Sequence, residues 1–140
     1  MINVYTDGSA SGEFGGWCYI FEWEGIAHCG AENPTTNNRM ELTAAYEALK
    51  AAPDNETVVV HTDSKLAIGW MAKRWRANQD EIAGMRRAIY DLIVHKHLIV
   101  RYVFVRGHTG VALNVACDQA ARIAMLEHKA YMCSMCGTIE

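Results

Sequence analysis

The first third of the chain is a series of short apolar runs separated by turn residues. Residues 2–6 form one run, closing in Asp7-Gly8-Ser9, and residues 15–23 and 25–31 read as the arms of a hairpin turning near Glu24-Gly25. Three strands are therefore expected first. From Asn38 the period changes: Leu42, Ala45, Tyr46 and Leu49 recur at helical spacing until Pro53 stops the pattern. Residues 57–62, Thr-Val-Val-Val-His-Thr, are the β-branched sequence of a strand buried on both faces, and they end in Asp63-Ser64. Residues 65–75 and 80–95 are helical in pattern with a break at 76–79. Residues 98–105 form a last strand, and the Gly-rich turn 106–110 leads into a final helix from about Ala112 to Lys129. The order βββαβααβα predicts an α/β fold: a five-stranded mixed sheet, three antiparallel strands then parallel crossovers, with helices on both faces. A right-handed crossover lays residues 57–62 beside the first strand.

At 140 residues, 51% hydrophobic and 21% charged, the chain fits one domain with its own core, expected over residues 1–130, followed by a tail at 131–140. No apolar stretch approaches the ~20 residues of a membrane span, and the N-terminal residues lack a secretory pattern, so a cytoplasmic location is expected. Five Cys, an odd number, at 18, 29, 117, 133 and 136 argue for thiols in a reducing compartment rather than a disulfide framework. Cys18, Cys29 and Cys117 fall in elements expected to be core. The net charge of −3 conceals a division: residues 1–63 carry 10 acidic and 2 basic groups, residues 64–140 carry 6 acidic and 11 basic. The basic half suits either a phosphate backbone or an ordinary solvated surface.

Candidate chemistry lies in four acids. Asp7 and Asp63 each follow an apolar strand, and in an open sheet the crevice past the carboxyl ends of parallel strands is where ligands bind. Each also fits a plain turn-capping role. Glu41 heads an otherwise apolar helical stripe, but Asn38-Arg39-Met40-Glu41 has the spacing of a capping box with Asn38 as N-cap. Asp118 lies on the last helix, one turn after Asn114, with Arg122 as an alternative partner. Four carboxylates at one end of a sheet stay ionised only when cations neutralise them. An all-oxygen donor set favours two Mg²⁺, with Mn²⁺ as substitute, and such a pair suits phosphodiester hydrolysis.

Asp7-Gly8-Ser9, Thr35-Thr36-Asn37-Asn38-Arg39-Met40-Glu41-Leu42, Thr62-Asp63-Ser64 and Gly107-His108-Thr109-Gly110 with Asn114 and Cys117-Asp118 resemble type 1 ribonuclease H in order and spacing, from residue 1 to about 128. The resemblance implies the RNase H-like fold and four metal-binding catalytic acids, Asp7, Glu41, Asp63 and Asp118, with an auxiliary His108 that relays a proton or helps product leave. It further implies endonucleolytic hydrolysis of the RNA strand of an RNA/DNA hybrid, leaving 5′-phosphate and 3′-hydroxyl ends. Gly8, Ser9, Asn37, Asn38 and Asn114 are the implied substrate contacts, together with Lys65, which stands where many relatives carry Gln. A monomer is expected, and a polymerase or other replication partner is left open.

Three departures are visible. The basic, Trp-containing protrusion of many bacterial relatives is reduced to Lys73-Arg74-Trp75-Arg76, which is expected to weaken binding to free hybrid. These residues fit a contact to the DNA strand and a packed Trp beside a solvated face about equally well. Val115 replaces a second acid after the Asn. Cys133 and Cys136 offer half of a zinc knuckle, read as two free thiols in a mobile tail. Rival readings are a strand transferase or junction resolvase on the same fold, distinguished by cutting DNA, and a binding module whose acids do not turn over.

Overall fold

The computed structural model describes residues 1–73, 75–106 and 111–135. Its elements are β1 (Ile2–Ser11), β2 (Phe14–Phe21), β3 (Ala27–Glu32), α1 (Asn37–Ala51), β4 (Thr57–Thr62), α2 (Lys65–Ala72), α3 (Asp80–Lys96), β5 (Ile99–Phe104) and α4 (Ala112–Met135). The sheet order is β3-β2-β1-β4-β5, antiparallel from β1 through β3 and parallel from β1 through β5. This is the expected mixed sheet, with β4 beside β1.

Alternation along the strands divides the interior in two. Val4, Phe21, Val58 and Val60 meet Leu42 and Leu49 of α1 and Ile82 and Ile89 of α3. Cys18 and Ile20 meet Cys117 and Ala121 of α4 on the other face. Two contacts fix α4 closely. A Cβ on Gly16 would lie 2.1 Å from the Ala121 carbonyl oxygen, so only glycine lets the helix settle on β2. The buried Cys117 thiol donates to the Cys18 carbonyl at 3.1 Å and to the Tyr5 carbonyl at 3.5 Å, tying the helix to two strands. On the opposite face, Arg39 of α1 bonds Glu32 at the end of β3 at 2.9 Å and Glu81 of α3 at 3.2 Å.

Several boundaries differ from the sequence expectation. β1 does not stop at Thr6. It continues to Ser11, because antiparallel pairing to β2 runs on to Ser11↔Phe14 after parallel pairing to β4 has ended at Tyr5↔His61. The N-cap of α1 is Thr36, whose hydroxyl accepts the Arg39 N–H, so Asn38 lies inside the helix and the Asn38–Glu41 capping box does not form. α2 stops at Ala72 rather than near Trp75, whose ring instead packs flat over Gly69. The last helix runs past Lys129 to Met135, placing Cys133 in helix rather than in a tail, while Cys136 lies outside the described residues. Cys29 is exposed because β3 is the outermost strand.

Gly16→Ala is expected to push α4 off β2 and lower the unfolding free energy by about 1–3 kcal/mol, as overpacking does. Urea unfolding followed by circular dichroism measures it, and an unchanged midpoint would contradict the close approach.

Candidate active site

Asp7 and Asp63 each stand two residues beyond the last parallel pair, Tyr5↔His61, and so flank the gap where β1 and β4 cease to bond. The turn after β4 is set locally: the Thr62 hydroxyl accepts the Ser64 N–H and the Ser64 hydroxyl accepts the Ala67 N–H, each at 3.1 Å, which caps α2 and holds Asp63 between them. Glu41 arrives from α1. It can do so because a Cβ on Gly8 would lie only 2.4 Å from the Glu41 nitrogen and the Met40 carbonyl carbon, so the first turns of α1 rest directly on β1. One carboxylate oxygen from each of Asp7, Glu41 and Asp63 lies within 4.8 Å of the other two.

Burial dominates the electrostatics. Asp7 is 2% exposed and Glu41 6%. Loss of water raises the Asp7 carboxyl from 3.8 to about 7, with the negative charges of Asp63 and Asp118 adding and the neighbouring Glu41 carboxyl and Gly8 N–H opposing. Burial first, and then the charge of Asp7, lifts Glu41 well above its ordinary value. Without a cation the pair therefore retains protons near neutrality. Asp7 Oδ1 accepts the Gly8 N–H at 2.8 Å, but Asp7 Oδ2 and Glu41 Oε2 are buried with no hydrogen-bond partner among the described residues. Stranded, closely spaced oxygens with no nitrogen or sulfur donor among them fit a hard divalent ion.

The fourth acid is placed differently. Asp118 is close enough for its charge to raise Asp7, but it lies outside the three-acid cluster and pairs with Arg122 at 3.4 Å, one turn along α4. Asn114 is buried, its Oδ1 also without a partner among the described residues. A cleft of about 470 Å³ opens over the acids, lined by Asp7, Glu41 and Asp63 with Gly8, Asn37, Asn38 and Lys65. Ser9 and Asn114 do not line it, and His108 lies outside the described residues. Leu66 and Phe104 also form its wall. The signal for Phe104 was the carboxyl end of the strand next to β4, the same rule that found Asp63.

The sequence model of the family described as RNase H matches residues 1–125. The chain belongs to the ribonuclease H family. Among relatives named Ribonuclease H, that of Geotalea uraniireducens is 34% identical over 141 residues, covering 89% of this chain and 93% of the relative. That of Acidiphilium cryptum is 36% identical over 146 residues, covering 93% and 91%. Among solved structures, LC11-RNase H1 in complex with RNA/DNA hybrid superposes with a TM-score of 0.78 at 20% identity, covering 91% of this chain and 99% of that one. RNase H1 from the halophilic archaeon Halobacterium salinarum gives 0.72 at 21%, covering 90% and 98%. These structural likenesses establish the RNase H fold. The chain is thus a ribonuclease H hydrolase by family, of the form in which no helix stands between α2 and α3 among the described residues.

The raised carboxyl of Asp7 makes metal-free stability depend on pH. A folded value of about 7 against 3.8 means the native state holds a proton that the unfolded chain gives up, so its stabilising contribution is intact below 3.8 and is lost as pH rises through about 7. The melting temperature in EDTA is expected to fall over that window and to recover on adding Mg²⁺. Mg²⁺ binding at pH 6 should release protons, read by calorimetry in two buffers of different ionisation enthalpy. A flat melting profile in EDTA would contradict the assignment.

Proposed function

We propose that this chain is an endonuclease that cuts the RNA strand of RNA/DNA hybrids, leaving 5′-phosphate and 3′-hydroxyl ends, with two Mg²⁺ as cofactors and Mn²⁺ as substitute. The observation that carries the reading is the convergence of Asp7, Glu41 and half-buried Asp63 beside an open cleft, with one oxygen each of the buried Asp7 and Glu41 left without a hydrogen-bond partner among the described residues. When bound, a pair of divalent ions supplies a lowered water pKa on one side of the phosphodiester and charge neutralisation at the leaving 3′-oxygen on the other.

The residues of the chain do the holding and the sorting. Asp7 and Asp63 would ligate centrally, Glu41 on the α1 side and Asp118 on the α4 side, the last exchanging its contact with Arg122 for a cation. The orphan Oδ1 of Asn114, buried on the same helix, supports a polar role beside Asp118. Selection of RNA requires groups that meet a 2′-hydroxyl in the wide minor groove of an A-like helix, and the Gly8 backbone with the Asn37 and Asn38 amides is suited to it. Ser9, next to Gly8 on β1, would meet the substrate at the margin of the cleft. A second groove shares Asn38 and Leu66 with the acid cleft and continues past Trp75 and Arg76, a course suited to the DNA strand. His108, assigned by motif, would carry a proton near the leaving group.

A labelled RNA/DNA hybrid titrated with Mg²⁺, with EDTA, duplex DNA and single-stranded RNA as controls, tests the reading. Cleavage confined to RNA within the hybrid is expected, and no metal-dependent cut would refute it. Asp63→Asn is expected to reduce turnover to background, whereas His108→Ala should lower kcat by about a hundred-fold, the lower end of the usual range for a proton-transfer group. Equal residual activity in the two variants would contradict this division of labour.

A further inference from the structure

Lys65 is the first residue of α2, where the exposed N–H groups of the helix repel a cation, and no acidic residue occupies that first turn to offset it. A residue that works against its own helix calls for another use. Its ammonium sits 5.2 Å from the centre of the Phe104 ring, at the end of β5. Phe104 is itself 42% exposed, and the neighbouring Leu66 46% exposed, so this apolar seat is open to water. Both Lys65 and Phe104 line the cleft that holds the acids.

We propose that Lys65, steadied over the Phe104 ring, is a backbone-phosphate clamp at the rim of the cleft, gripping a phosphate near the one that is cut. The clamp rests on the reading that the cleft binds a nucleic acid. Lys65 thereby offers a charge contact to the backbone, which favours no sequence but is screened by salt. Phe104 is the positioning residue: its ring limits where a long, flexible side chain can place its charge, so less freedom is lost when the phosphate arrives.

Binding of a fluorescein-labelled RNA/DNA hybrid, measured by anisotropy in EDTA between about 50 and 200 mM KCl, tests the clamp independently of cleavage. Lys65→Gln should weaken Kd by roughly five-fold at the lower salt and reduce the slope of log Kd against log salt by about 0.7–0.9, the loss of one phosphate contact. Lys65→Arg should keep the slope. Phe104→Leu should keep the slope, since the charge remains, but weaken binding. In Mg²⁺ the Lys65→Gln change should fall on KM rather than on kcat. The melting temperature of Lys65→Gln should hold or rise, because a cation leaves the helix N-terminus. An unchanged slope in Lys65→Gln, unaltered affinity in Phe104→Leu, or a binding loss matched by a fall in melting temperature would each overturn the proposal. Failure of the unmodified protein to cut hybrid would instead overturn the assigned activity, leaving the salt slopes to decide the clamp.

Discussion

Like charges held together out of water set the terms for the rest of this molecule. Two carboxylates about 5 Å apart at an effective dielectric of 20 repel by about 3 kcal/mol, and three such pairs would consume much of the roughly 5–15 kcal/mol that keeps a domain folded. Asp7, Glu41 and Asp63 therefore do not coexist as three bare anions at neutral pH. They retain protons or they meet cations, and the raised carboxyl values of Asp7 and Glu41 are the protein-only half of that alternative. The cluster is poor as a stabilising device and well suited to holding something positive.

What keeps the acids together is almost entirely uncharged. Gly8 removes the one atom that would hold α1 away from β1, and Gly16 does the same for α4 on β2. The Cys117 thiol reaches the carbonyls of two neighbouring strands, immediately before Asp118 in sequence. Each contact is close packing or a neutral hydrogen bond, and so is insensitive to the salt and pH changes that alter the acids themselves. The close approach of helices to strands is set by glycines and by a thiol that the neighbouring Cys18 and burial keep protonated, and the chemistry by carboxylates.

Much of this was legible in the sequence because it depends on local patterns. The strand at 57–62 announced itself by β-branching, its position beside the first strand by crossover handedness, and Asp63 by its place after the run. Asp7 was found for a partly wrong reason. It is not at a strand end, since β1 runs on to Ser11, but it does lie where parallel pairing stops, and only the register shows that difference. Glu41 was obscured by a capping pattern that Thr36 pre-empts: with the cap supplied two residues earlier, the glutamate is free to be buried. Phe104 was available from the same strand-end rule as Asp63, whereas its closeness to Lys65 and the packing of Trp75 on Gly69 join residues that no one-dimensional pattern brings together.

The bridge made by Arg39 has a mechanical meaning for the helix that carries Glu41. Joined to β3 through Glu32 and to α3 through Glu81, and pressed against β1 at Gly8, the leading end of that helix is braced from three directions. Bracing of this kind resists displacement of the first turns of α1 relative to β1. The position of Glu41 relative to Asp7 is thereby set by contacts that lie outside the acid cluster itself.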